Sequence, residues 1–312
     1  MRLTTSTTVP WKHPFFAACA MLVLHAHPSW AEDLPIREIK LPPLVVNGQP
    51  ARAHTQGLEV LGAKFYVTAR RDDVLPKRAL LLRTDAARAD WDVWDITPVD
   101  PRGMVTTLDH PGGMQSDGTR LWIPLAESKR QGRSVIRAFP IVRLIPGQAL
   151  EPDFQFEVND HIGAVAVDPE HKLVLGANWD TEAVYVWDFH GRLQRTLKGS
   201  ALTERGLGVV SGTDGRAGLA VQDWKFQGDH LFASGLFRTP GGTAEPPQSR
   251  WITFGGFLES EFRQKSVALP VRHRVELGQE GMAVLEQTVY FLPEDLGPSS
   301  RLFSVPRAEL EN

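Results

Sequence analysis

Hydrophobic and polar residues alternate along most of the chain, in short runs cut by turn residues. Ala164–Val167 is a short apolar run, Asp168-Pro169-Glu170-His171 interrupts it, and Leu173-Val174-Leu175 resumes it. Asn178-Trp179-Asp180-Thr181 makes a second break and Ala183–Trp187 a third run. His190-Gly191 turns the chain and Leu193–Leu197 is a fourth run. Period-two runs of branched and aromatic residues, bounded by Gly, Pro, Asn and Asp, specify strands joined by tight turns. The same arrangement occurs at Gly57–Val60, Lys64–Thr68, Arg78–Arg83 and Trp91–Ile96. It occurs again at Leu219–Val221, His230–Ser234, Arg250–Phe254 and Phe262–Val267. No window carries a long amphipathic helix, and Ala201–Gly206 has room for one helical turn.

A short motif opens each unit. It reads His54-Thr-Gln-Gly57-Leu58, His110-Pro-Gly-Gly113-Met114 and His161-Ile-Gly-Ala164-Val165, with degenerate copies Gly215-Arg-Ala-Gly218-Leu219 and Gly278-Gln-Glu-Gly281-Met282. The small residues at 57, 113, 164, 218 and 281 are 56, 51, 54 and 63 positions apart. Four strands per unit at this spacing predict an all-β fold, a β-propeller. The fifth unit offers only Gly281–Val284, Thr288–Phe291 and Arg301–Val305 before the chain stops, so it lacks an outer strand. Ile36–Leu41, with Leu44-Val45-Val46 as a further candidate, is a spare strand ahead of the first unit. Pairing the two removes an open sheet edge. The expectation is five blades closed by the N-terminal strand. Six blades is the alternative, because Leu197–Ala217 is long enough to hide a strand pair.

This pattern resembles exported bacterial β-propellers of the NHL-like and six-bladed kind, over the whole chain after its first 31 residues. The H-x-x-G runs opening the inner strands resemble an uncharacterised family of bacterial exported proteins. Neither resemblance implies an activity.

The first 31 residues differ from the rest. Arg2 and Lys12 are their only formal charges, an apolar run spans Phe15–Leu24, and Ser29-x-Ala31 offers small residues at −3 and −1 before Glu32-Asp33. The run is too short to span a bilayer. Residues 1–31 therefore read as a secretory signal peptide and 32–312 as a single propeller domain, periplasmic or secreted. An uncleaved anchor, and lipidation at Cys19 in Phe16-Ala17-Ala18-Cys19, are the alternatives. Cleavage removes two basic residues and no acid, taking the formal charge from −3 to −5. That balance argues against nucleic acid and anionic membrane surfaces as partners. It also removes the one cysteine, leaving no disulfide, thiol nucleophile or thiolate ligand. No later segment is apolar enough to enter a membrane.

In a propeller, the residue ahead of each inner strand lies at one mouth of the central channel. His54, His110 and His161 should therefore ring that mouth on three neighbouring blades. Three imidazoles with an open position suit a divalent metal, Zn or Mn, with Glu280 or Gln279 completing the shell. Propeller lyases that hold a divalent metal on channel histidines are similar. The competing expectation is structural, with each imidazole bonding a backbone carbonyl and locking one blade to the next.

Loops between second and third strands open on the same rim. They offer Arg70-Arg71-Asp72-Asp73, Glu127-Ser128-Lys129-Arg130, Asn178-Trp179-Asp180, Arg238 and Glu294-Asp295. Glu127, Asn178 and Glu294 stand near the inner ends of these loops. With Glu59, the glutamates could supply the paired carboxylates of a glycosidase, a class that five-bladed propellers host. Charged turn residues that are simply solvated are the plainer reading. Trp179 could stack on a sugar or another planar ligand. Asp160 could orient His161 or cap its turn. Trp122 reads as core, Trp91 and Trp94 as inter-blade contacts, and Gly112-Gly113 and Gly241-Gly242 as turn glycines. Thr239–Ser249 is either a lid or an indifferent insertion. Two functional classes follow: a lyase or hydrolase with its site at the histidine rim, or a non-catalytic propeller binding a small molecule, a carbohydrate or a protein.

Overall fold

The computed structural model describes residues 34–208, 218–238 and 248–312. Residues 1–31, expected to be a signal segment, residues 209–217 of the candidate sixth-blade region and residues 239–247 of the long polar loop lie outside the described residues. So do Gly215 and Gly241-Gly242 and the side chain of Arg238.

Five sheets form the five blades of a β-propeller. Blade 1 runs outward through His54–Leu61, Lys64–Arg71, Arg78–Asp85 and Asp92–Asp95. In blade 2 the inner strand is split into His110–Pro111 and Gln115–Ser116, both paired with Arg120–Ala126, followed by Ser134–Pro140 and Phe154–Val158. Blade 3 is Ile162–Asp168, Leu173–Asn178, Ala183–Asp188 and Leu193–Lys198. Blade 4 is Gly218–Gln227, His230–Arg238, Gln248–Gly255 and Arg263–Ala268. Blade 5 takes Gly281–Val284, Thr288–Leu292 and Arg301–Pro306 from the C-terminal end of the chain, and its outer strand is Arg37–Lys40. That strand pairs antiparallel with Arg301–Pro306, Arg37 opposite Ser304 and Lys40 opposite Arg301. The ring is closed by the N-terminal strand, as the unfinished fifth unit requires.

Alternation places successive side chains in different blade interfaces. Phe65, Val67 and Ala69 pack against Ala283, Leu292 and Leu302 of blade 5. The intervening Tyr66 packs with Leu121, Ile123 and Leu125 of blade 2. Three further clusters fill the interfaces of blades 2 and 3, 3 and 4, and 4 and 5. Each fully buried Leu or Phe contributes about 1.5–3 kcal/mol, so these five interfaces hold the ring together. Trp122 is fully buried in the 2–3 interface. Trp91 and Trp94 enter opposite interfaces, 5–1 and 1–2. The one predicted helical turn is a short helix at Ser200–Thr203. No helix among the described residues is long and apolar enough to cross a membrane.

One expectation about glycine is corrected. Gly112 and Gly113 are not turn residues. They lie where the inner strand of blade 2 runs beside that of blade 3, with Gly113 N–H donating to Gly163 O at 2.9 Å and Val165 N–H to Gly113 O at 2.9 Å. A Cβ on Gly112 would stand 2.1 Å from Gly163 O, so this close approach excludes any side chain.

Candidate functional site

The five inner strands converge on an axis that is filled. Asp223 of blade 4 is fully buried. A bulge between Val221 and Asp223 turns it to the axis. Its Oδ2 accepts the N–H groups of Leu58 from blade 1 and Met282 from blade 5, both at 3.0 Å. Its Oδ1 accepts Trp224 N–H and pairs with the buried Lys225 ammonium. Burial raises the Asp223 carboxyl to about 6, against the pull of Lys225. Gln115 of blade 2 ties Val167 of blade 3 to Phe226 of blade 4, accepting an N–H from each at 2.8 Å. Glu59 accepts Val60 N–H at 2.9 Å and Ser116 N–H at 3.0 Å, and burial raises its pKa. These groups lace the blades and plug the channel, so Glu59 is not a member of a rim carboxylate pair.

The rim at the start of the inner strands holds the predicted histidines. His161 is 3% exposed, and its Nδ1–H donates to Glu127 O at 2.7 Å, with Lys129 O at 3.2 Å. His110 packs edge-on against His161, with ring centroids 5.2 Å apart. Its Nδ1 faces the Arg70 guanidinium at 2.8 Å and so accepts, which leaves Nε2–H to donate to Gln56 Oε1 at 2.9 Å. Burial, reinforced by Arg70, holds His110 well below the usual imidazole range. Burial also lowers His161.

These partners bear directly on the expected metal shell. Both nitrogens of His110 are engaged, and a guanidinium stands where a cation would have to bind. His161 bonds backbone carbonyls, as the structural expectation has it. Among the described residues, no group of three or more His, Asp or Glu side chains is arranged to hold a metal ion. The residues present do not fit a three-histidine Zn or Mn centre.

His54 is different. Its Nδ1–H donates to Asp295 Oδ1 at 2.6 Å, while Nε2 stands 3.9 Å from Glu280 Oε1. The hydrogen bond to Asp295 raises the His54 pKa and lowers that of Asp295. Glu280 immediately precedes the inner strand of blade 5. Its side chain is 14% exposed and makes no hydrogen bond with any described residue. Burial pushes its carboxyl up to about 8, with His54 pulling the other way. An acid that keeps its proton at neutral pH thus faces an imidazole oriented by a carboxylate.

The remaining candidates are fastened to their own loops. Glu127 pairs with Lys129 at 2.9 Å and accepts Arg133 N–H at 3.0 Å, and Lys129 holds it down at about 2. Glu294 forms an ion pair with Arg301 and accepts its N–H at 3.0 Å. The carboxylates expected of a glycosidase are therefore each engaged within their own loop. Asn178 donates to Asp160 at 2.9 Å and accepts Ala183 N–H at 2.7 Å. Asp160 caps the turn by accepting His161 N–H at 2.8 Å, and it also accepts the Tyr185 hydroxyl at 2.8 Å. Trp179 packs against the His161 ring at 4.6 Å. Asp180 and Thr181 follow it with φ of 56° and 57°, each costing about 1–2 kcal/mol in this left-handed region. Thr181 is fully buried and accepts Val221 N–H at 2.8 Å, which holds the strained turn in place.

It is Asp295, not the expected Glu294, that reaches a rim histidine, His54, and Arg70 joins the rim by bonding His110. The loop position was the available signal for both. It gives the rim but not the side-chain direction.

A family model described as "Family of unknown function (DUF6454)" matches residues 99–238. Among curated proteins, none matches. Among solved structures, the chain is similar to a mutant of the GH43 protein BlXynB from Bacillus licheniformis. The identity is 8%, over 88% of this chain and 57% of that one, with a TM-score of 0.51. It is also similar to the catalytic domain of the GH62 alpha-L-arabinofuranosidase of Coprinopsis cinerea, at 8% identity over 88% and 98%, TM-score 0.46. The WD40 domain of Toxoplasma gondii coronin gives 9% over 89% and 91%, TM-score 0.39. At such identities the likeness is one of fold.

Proposed function

We propose that this propeller acts outside the cytoplasm, after loss of residues 1–31, and binds a small molecule at the rim of blades 1 and 5. There it would move a proton to or from a ligand oxygen, the elementary step of a hydrolase or a lyase. The observation that carries this reading is the approach of His54 Nε2 to Glu280 Oε1, 3.9 Å apart. One oxygen atom placed to the side of the pair can lie about 2.8 Å from both, within hydrogen-bond range. At neutral pH Glu280 carries its proton, and Asp295 favours the imidazolium of His54. Two donors then meet one oxygen. Glu280 is placed to protonate a departing oxygen, and an incoming water can return a proton to its carboxylate. Asp295 is the positioning residue that fixes the orientation of the His54 ring.

A second reading, binding without turnover, is favoured by the engagement of His110 and His161 in contacts within the fold. Turnover of a panel of 4-nitrophenyl esters and glycosides separates the two. Catalysis predicts that Glu280→Gln and His54→Ala each lower the rate roughly 10²–10⁴-fold with the fold intact. Wild-type inactivity across the panel, or equal rates in all three proteins, would reject proton transfer at this pair.

A further inference from the structure

A separate groove opens on the same rim, over blades 2 and 3. It is lined by Arg130, Gln131, Asp160, Trp179, Glu182 and Lys198. Its charges are largely spent within the chain. Arg130 binds Asp180 at 2.5 Å and Glu182 at 2.7 Å, and Asp160 accepts from Asn178 and Tyr185. A charged ligand would have to compete with these pairs, whereas a neutral one with many hydroxyls can share their remaining lone pairs and protons. The Trp179 indole N–H and the Gln131 amide make no hydrogen bond with described residues, and neither does the Lys198 ammonium, which lies 5.9 Å over the Tyr185 ring. They are donors left for a ligand.

The groove wall includes a flat aromatic side chain held in place at a cost. Trp179 sits directly before the two left-handed residues Asp180 and Thr181. Its turn is clamped on several sides. Trp179 N–H bonds His161 O at 3.1 Å, Asn178 Oδ1 closes on Ala183 N–H, and Thr181 Oγ1 reaches blade 4. An ordinary surface turn needs neither a β-branched residue at positive φ nor an anchor in the next blade. Strain held by surrounding structure is a pointer to a positioned side chain. A rigid indole offers large contact area at low entropic cost, with the apolar face of a sugar ring as its natural complement.

From this groove we infer a subsite for a neutral sugar ring, stacked on Trp179 and hydrogen-bonded at its edge by Gln131, Lys198 and Asp160. The inference is independent of proton transfer at His54 and Glu280.

The test is binding of the chain from residue 32 onward to an array of neutral and acidic oligosaccharides, followed by titration of the strongest binder. Three proteins are compared: wild type, Trp179→Ala and Trp179→Phe. Neutral glycans should be retained over acidic ones. Trp179→Ala should weaken binding at least tenfold, Trp179→Phe should recover most of it, and all three should melt alike. Because Trp179 touches His161, Lys198→Ala serves as a second variant that leaves the turn intact, with an expected loss of a few fold. No retention of any glycan overturns the inference. So does retention indifferent to both Trp179→Ala and Lys198→Ala, or a preference for acidic glycans. Retention that depends on Trp179 alongside inert His54 and Glu280 would keep this site while rejecting the proton-transfer reading.

Discussion

The axis and the rim of this propeller both bury ionisable side chains. At the axis, Asp223 and Glu59 spend both carboxylate oxygens on backbone N–H groups of their own and neighbouring blades or on Lys225. At the rim, Glu280 is nearly as buried and hydrogen-bonds no described residue, its Oε1 lying 3.9 Å from His54 Nε2. Burial raises the pKa of all three, so a raised pKa alone does not separate structure from chemistry. What separates them is the count of partners. The axial groups are consumed by the fold, and the rim acid still has its hydrogen-bonding capacity.

The most damaging way to test this contrast is to empty the axis. Asp223→Ala strands the Lys225 ammonium and orphans the N–H groups of Leu58 and Met282. A loss of about 3–5 kcal/mol is expected, read from the urea unfolding midpoint. A change below about 1 kcal/mol would mean that the axis is not the keystone of the ring.

The next effect is at Glu280 and depends on pH. Its folded pKa, about 8, lies above its ordinary value of 4.5. The folded state therefore holds the proton more tightly, and the associated stability is complete below about pH 4.5 and is lost as pH rises through 8. Each tenfold change in proton affinity is worth about 1.4 kcal/mol, so the total reaches a few kcal/mol. Glu280→Gln cannot ionise. Unfolding free energies of wild type and variant should diverge between about pH 5 and pH 9, with wild type falling. Parallel curves would show that the rim acid is solvated like any surface carboxylate.

The smallest effect is at Asp295. Its pair with His54 is partly exposed, with side chains 65% and 35% accessible, so Asp295→Asn should cost under about 1 kcal/mol. The informative readout is the His54 ring proton in NMR, whose titration midpoint should move down. An unmoved midpoint would show that Asp295 does not orient the imidazole.

Much of the fold was legible because alternation has a physical cause that recurs in every blade. Phe65, Tyr66 and Val67 go to two different interfaces, and that division is written in the period of two. The missing outer strand of the last unit was legible in the same way. The axis was not. The bulge at Val221/Asp223 breaks the period, so Asp223, Trp224 and Lys225 are all buried in succession, and no alternation rule marks Asp223 as axial. At the rim, the positions of His54, His110 and His161 followed from topology, but their roles did not. Those roles are set by Arg70 from 40 residues before His110, by a backbone carbonyl 34 residues before His161, and by Asp295 from 241 residues beyond His54. Sequence spacing carries no record of which ring nitrogen such partners engage.

The closing strand has a consequence for how the molecule is made. Arg37 O accepts the Ser304 hydroxyl across 267 residues of chain, so the ring's last seam joins the first described strand to the last. During synthesis the N-terminal strand emerges early and has no native partner until almost the whole chain has followed. Four blades can stack while the seam stays open, and closure waits on the slowest, most distant contact in the chain. A chain interrupted before Arg301 would present two unpaired blade edges at once, an arc ready to capture a strand from another copy.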